Sequence, residues 1–225
     1  MIESMKNVSS KAIWVILLII LFFLLSCASK QKVKIGSRDG EFYFYRGVTS
    51  YEKGQYDQAI SDFIKALEIN PRLAVAFYNR GLAYEKKAQH DQAISDFTKA
   101  LEINPRYEEA YYNRGIVYGK KGQLDQVISD FTKALEINPK LSVAFYNRGT
   151  AYGKKGQYDQ AISDFTKALE INPRYAEAYY SRGVAYYFKR EYGKSWKDIG
   201  EAQSLGYQID PKFLDQLRKA SGRQN

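Results

Sequence analysis

Few side chains in this sequence are suited to covalent chemistry. Among its 225 residues there is one cysteine, Cys27, and one histidine, His90. A single thiol cannot close a disulfide within the chain, and one thiol with one imidazole does not make a zinc site. No serine, histidine and acid are set out as a nucleophile with its base, and the glycine-rich loop that cradles phosphate is missing. The expectation is a protein without catalytic residues, metal or cofactor. What the sequence repeats instead is the chemistry of non-covalent recognition. Arg46, Arg80, Arg114, Arg148 and Arg182 recur at a fixed interval, and so do Asp62, Asp96, Asp130, Asp164 and Asp198. Tyr78-Asn79, Tyr112-Asn113 and Tyr146-Asn147 form a second series, preceded by Phe44-Tyr45 and followed by Tyr180-Ser181. Guanidinium and carboxylate groups suit ion pairs. Amides in register can donate and accept along the backbone of an extended peptide, and rings beside them add apolar contact area.

The interval belongs to a larger repetition. "SDFTKALEINPRY" stands at residues 95–107 and again at 163–175, with near-copies "SDFIKALEINPRL" at 61–73 and "SDFTKALEINPKL" at 129–141. Each contains one of Pro71, Pro105, Pro139 and Pro173, spaced 34 residues apart. A period of that length signals stacked repeats. Within each unit, two helical patterns are separated by a turn such as "KKGQYD" at 154–159, so the unit is a helical hairpin. The Asn-Pro pair ends the second helix, because proline disfavours helix in the residue before it and suits the start of the next segment. No hairpin buries its apolar face alone, so neighbours stack into an all-α solenoid. With 45% apolar and 15% aromatic residues, the chain can fill such a core.

The units begin at Gly40, Ala74, Glu108, Ser142 and Ala176, and their pattern resembles the tetratricopeptide repeat. The small residue at the eighth position is Gly47, Gly81, Gly115, Gly149 and Gly183. The aromatic at the eleventh is Tyr84, Tyr118, Tyr152 and Tyr186, with Ser50 in the first unit. Small residues at the twentieth are Ala59, Ala93 and Ala161, with Val127 and Ser195 as departures. Phe63, Phe97, Phe131, Phe165 and Ile199 supply the large residue at the twenty-fourth, and Ala66, Ala100, Ala134, Ala168 and Ala202 the small one at the twenty-seventh. Small positions let the paired helices approach closely while large rings fill the gaps beside them. The resemblance covers residues 40–207 and implies five hairpins. Residues 208–225 then close the stack: Asp210-Pro211 caps a last helix reaching about Ala220, with Phe213, Leu214 and Leu217 inward and Lys212, Gln216 and Lys219 outward.

The resemblance also places a binding groove along the first helix of each unit. It would hold Tyr78, Asn79, Tyr112, Asn113, Tyr146, Asn147 and Tyr180, with Lys86, Lys120 and Lys154 at the thirteenth position. The same Asn and Tyr series can instead have been copied with the repeat and merely solvate or brace the helices. Some relatives clamp a terminal carboxylate with lysines at positions two and five; here those places hold Glu41, Val75, Glu109, Val143 and Glu177, and aromatics, so no such clamp is expected. The repeated Arg and Asp residues are expected to pair within or between units. The net charge of +9 does not make a nucleic-acid surface, since the basic residues recur once per repeat among acids, as on solvated helix faces.

The amino terminus reads differently. Lys6 and Lys11 precede an unbroken apolar run from Ala12 to Leu25, which is short for a membrane-spanning helix and matches the apolar region of a secretory signal. It ends in Leu24-Leu25-Ser26-Cys27, which resembles the lipobox of bacterial lipoproteins. That resemblance implies removal of residues 1–26 and acylation of Cys27, with residues 27–39 as a flexible, basic tether. Ala28 follows the cysteine rather than Asp, which favours the periplasmic face of the outer membrane if the source has two membranes. The expected function is an exported, lipid-anchored scaffold that takes a segment of a partner protein in its groove, with a role in cell-envelope assembly. The alternative is direct stacking of the groove tyrosines on peptidoglycan sugar rings.

Overall fold

The structure, a computed structural model, describes residues 39–223. The signal reading of residues 1–26, Cys27, and the tether up to residue 38 fall outside the described residues. Among the described residues there are eleven α-helices and no strand. They are α1 (39–52), α2 (Tyr56–Ile69), α3 (Ala74–Lys86), α4 (His90–Ile103), α5 (Glu108–Lys120), α6 (Leu124–Ile137), α7 (Ser142–Lys154), α8 (Tyr158–Ile171), α9 (Ala176–Phe188), α10 (Tyr192–Ser204) and α11 (Pro211–Ser221). Two compact units contain them, one ending at Ala76 and the other starting at Phe77. The first holds the hairpin α1–α2 and the opening residues of α3. In the second, α5 pairs with α6, α7 with α8 and α9 with α10, while α4 meets α5, α6 meets α7 and α8 meets α9, so hairpin stacks on hairpin.

The closeness of the paired helices follows from one contact. A methyl group placed on Gly81 would lie 2.8 Å from Phe97 Cε1, and one on Gly149 would lie 2.9 Å from Phe165 Cε1 and 3.2 Å from the Ala161 carbonyl oxygen. Gly47 meets Phe63 in the same way, at 2.7 Å, and Gly183 meets Ile199 at 3.1 Å. The rings of Phe63, Phe97, Phe131 and Phe165 are buried, so none can swing away to make room. Two other helical glycines are unlike these. A methyl on Gly119 would sit 3.7 Å from Val127 and one on Gly153 3.9 Å from Ala161, which is ordinary contact.

Both turns of the hairpin are set by backbone bonds. At the end of the first helix, the Gln123 N–H donates to the Tyr118 carbonyl over 3.0 Å, and Gln157 to Tyr152 over 2.9 Å, a Schellman closure that puts the residue between in the left-handed region. Gly54, Gly122 and Gly156 take that place with φ near +73°. Ala88 and Arg190 take it with φ of 56° and 62°, where a Cβ is strained. At the end of the second helix, Asn104 N–H still donates to Ala100, while its side-chain oxygen accepts from Arg106 N–H at 3.1 Å. Asn70, Asn138 and Asn172 do the same. Proline therefore lies inside this turn, and the next helix begins three residues after it, at Ala74, Glu108, Ser142 and Ala176. That differs from the expected placement at the start of the next segment; the asparagine side chain, not the proline ring, directs the chain into the new helix.

The arginine and aspartate series pair within each hairpin. Arg114 Nε and Nη2 donate to the two Asp130 oxygens at 2.8 and 2.7 Å, and Arg148 grips Asp164 with both bonds at 2.8 Å. Arg80–Asp96, Arg182–Asp198 and, in the first unit, Arg46–Asp62 are built alike. The remaining nitrogen reaches back one hairpin: Arg114 Nη1 donates to Thr98 Oγ1 at 2.8 Å, Arg148 to Thr132 at 2.9 Å and Arg182 to Thr166 at 3.0 Å. Burial pushes the Asp130 carboxyl up against the pull of Arg114, while, against its own burial, the Arg114 guanidinium is held above its ordinary value by Asp130, so desolvation offsets part of the attraction within the pair. Exposed bridges Lys121–Asp91, Lys155–Asp125 and Lys189–Asp159 add further links between neighbouring hairpins.

The far end closes as expected. The Asp210 side chain accepts from Lys212 N–H at 2.9 Å with Pro211 at the first turn, and Leu217 is buried while Lys212, Gln216 and Lys219 face solvent. Trp196 donates its indole N–H to Ser221 Oγ at 3.0 Å, tying α10 to α11.

Two stability measurements check these contacts. Gly149→Ala is expected to cost about 1–3 kcal/mol in urea melts through overpacking, while Gly153→Ala, four residues along the same helix, gains up to about 1 kcal/mol from helix propensity. Arg114→Ala is expected to cost about 3 kcal/mol by stranding the Asp130 carboxylate; a loss within the noise of the melt would show that water reaches that carboxylate.

Candidate partner-binding groove

The residues expected to line a groove come from the first helices of the second unit: α3, α5, α7 and α9. Each tyrosine ring is half-buried and leans on its own hairpin. Tyr78 packs on Phe97 with ring centres 5.8 Å apart, Tyr112 on Phe131 at 5.5 Å and Tyr146 on Phe165 at 5.8 Å. A second ring closes on the other side: Tyr107 lies 4.8 Å from Tyr78, Tyr175 lies 4.9 Å from Tyr146, and Tyr207 stacks on Tyr180 at 4.8 Å. Burial pushes the Tyr107, Tyr112 and Tyr175 phenols up, so these hydroxyls stay protonated and act as neutral hydrogen-bonding groups.

The asparagines link these rings from hairpin to hairpin. Asn113 Nδ2 donates to the Tyr78 hydroxyl at 3.0 Å and to the Glu109 carbonyl at 2.8 Å, and Asn147 Nδ2 donates to the Tyr112 hydroxyl at 3.3 Å. Asn79 and Tyr78 have partners too. The structure thus brings the Tyr and Asn series together as a brace. The amide N–H groups of Asn113 and Asn147 are already engaged, which limits what they offer an incoming backbone.

The three lysines differ among themselves. Lys120 reaches back to Glu85 of the preceding hairpin, and Lys86 lies 4.0 Å from the same carboxylate. In the next hairpin the residue corresponding to Glu85 is Gly119, so Lys154, exposed on α7, has no hydrogen-bond or ion-pair partner among the described residues. In the last hairpin the corresponding residue is Phe188, 56% exposed and stacked flat on Tyr158 with ring centres 5.1 Å apart.

Two hollows open beside these residues. One, of about 120 Å³, lies between α5, α6 and α7, and its walls include Ile116, Gly119, Leu124, Asn147, Thr150 and Lys154. The other, of about 200 Å³, lies between α7, α8 and α9, and its walls include Thr150, Gly153, Tyr158, Tyr180, Val184 and Phe188. They occupy corresponding places in successive hairpins and share Thr150. Gly119 and Gly153 have room for a methyl group, so their smallness opens the hollows rather than serving the packing between helices. Sequence reasoning missed Gly119, Gly153, Tyr158 and Phe188. The signal was the twelfth position, where Gly119 and Gly153 stand between Glu85 and Tyr187 although most of the unit is copied. Among the described residues no helix is long and apolar enough to cross a membrane, and no cluster of acids, His or Cys is placed to hold a metal.

Comparison with known proteins agrees with this architecture. The family model for the tetratricopeptide repeat matches residues 74–107, 108–141 and 142–175, and a second TPR model matches residues 41–88. Among solved structures, the chain is similar to YrrB, reported as a TPR protein with an unusual peptide-binding site: identity is 25%, the match covers 84% of this chain and 97% of that one, and the TM-score is 0.72. It is similar to MamA at 26% identity over 71% of this chain and 93% of that one, with a TM-score of 0.69. Pseudomonas aeruginosa pilF shares the fold, with 21% identity over 83% and 86% of the two chains and a TM-score of 0.68. No curated protein matches the sequence. Repeat models that together run from 41 to 175, over helical hairpins stacked with the same spacing, establish that the chain belongs to the tetratricopeptide repeat family.

Proposed function

We propose that the protein is an exported, lipid-anchored scaffold that holds a segment of a partner protein in the groove of its second unit, in the service of cell-envelope assembly. The observation that carries the groove reading is the pair of hollows that share Thr150, with an unpaired lysine in the wall of the smaller one. The peptide-binding site reported for YrrB supports a partner of the same chemical kind. The anchor rests on the sequence: Leu24-Leu25-Ser26-Cys27 behind an apolar run, in which acylation of the thiol supplies about 0.8 kcal/mol per buried CH₂ and two or more chains make the attachment stable. Fixing a binding module at a membrane raises the local concentration of whatever it collects there.

In-cell crosslinking with mass spectrometry tests the groove, comparing wild type with Thr150→Trp, a change that puts a bulky ring at the wall the two hollows share. A protein crosslinked to wild type at groove residues, and lost from a variant of unchanged melting temperature, is the expected result. Equal crosslinking of both places the site elsewhere, and binding of the purified chain to protein-free cell-wall sacculi would favour the glycan. For the anchor, an alkyne fatty acid fed to the cells is expected to label wild type, while Cys27→Ala loses the label and retains residues 1–26 by mass.

A further inference from the structure

The two hollows are unequal, and their inequality describes a ligand. The hollow between α5, α6 and α7 is the smaller, walled by Ile116, Leu124 and the Thr150 side chain, and fits an aliphatic side chain. The hollow between α7, α8 and α9 is nearly twice as large and ends on the exposed, stacked pair Tyr158 and Phe188, a wall that suits an aromatic ring. In the preceding hairpin the corresponding place is filled by Glu85 bridged to Lys120, with His90 where Leu124 and Tyr158 stand in the next two. The apolar lining of the next two hairpins is therefore interrupted in this one.

Charge supplies the third element. Around the hollows, Lys155 is bound to Asp125, Lys189 to Asp159 and Lys120 to Glu85. Lys154 alone of these lysines lacks a counter-charge among the described residues, and it follows Thr150 by one helical turn, in the wall of the smaller hollow. An unpaired cation beside an apolar wall is complemented by a carboxylate that arrives with the ligand.

Building on the groove reading above, we infer that the groove selects a protein segment carrying an aliphatic and an aromatic side chain, with an acidic residue beside the aliphatic one. The aliphatic group enters beside Gly119, the aromatic group beside Gly153, and the acid meets Lys154.

Selection of random-sequence peptides on the full chain in detergent, followed by anisotropy titration of the synthesised winners, decides it. Enrichment of that three-part pattern is expected, with binding abolished by Thr150→Trp. Lys154→Glu is expected to weaken the acidic peptides about tenfold and to prefer versions with lysine in place of the acid. Winners that are lost on Thr150→Trp but lack the apolar pair, or that ignore Lys154→Glu, overturn this inference and leave the groove reading standing. Winners unaffected by Thr150→Trp, or no enrichment at all, overturn both; melting curves of each variant confirm that it is folded.

Discussion

The distance between the two helices of a hairpin depends on a glycine that faces a large buried side chain, a phenylalanine ring in all but the last. Because Gly81 and Gly149 leave no room for even one carbon atom between themselves and Phe97 or Phe165, the paired helices sit at a spacing that a side chain would forbid. Other features of the second unit build on that spacing. It brings the arginine of the first helix within two-point reach of the aspartate on the second, and it lets the tyrosine above lie across the buried phenylalanine. The same arginine then spends its last nitrogen on a threonine of the hairpin before. One side chain thus closes its own hairpin and joins it to the neighbour, which makes the interface between repeats as regular as the repeats.

The polar groups of this fold are largely committed to holding it. Each buried aspartate has its guanidinium, and the amides of Asn113 and Asn147 reach the phenols of the previous hairpin. Recognition is left to the places where the repetition lapses. At Gly119, Gly153 and Phe188 the sequence departs from a strict copy, and there the surface becomes hollow, apolar or unpaired in charge.

Most of the architecture was legible beforehand, for a definite reason. A 34-residue period with small and large residues at set places fixes helix starts that the structure reproduces at Ala74, Glu108, Ser142 and Ala176. Asp210-Pro211 announced the last helix equally plainly. The roles of the asparagines were not legible, because an amide that braces a phenol 35 residues away looks the same in sequence as one awaiting a ligand. Spacing marked Gly149 as a small packing residue, but nothing in it showed that Gly153 opens a cavity; that depends on what stands opposite. Proline misled slightly, since its effect on the preceding residue is certain while the turn it sits in is shaped by the asparagine before it.

Residues 95–107 and 163–175 are identical, and the bond of Arg114 to Thr98 has the same form as that of Arg182 to Thr166. A first helix searching for its neighbour during folding therefore meets surfaces it cannot tell apart, and the inter-hairpin energies carry almost no information about order. Chain connectivity alone must supply that order, by making the adjacent hairpin the nearest one. Two such chains held side by side would lose that advantage, and exchange of hairpins between them becomes the natural misfolding route of a stack copied this closely.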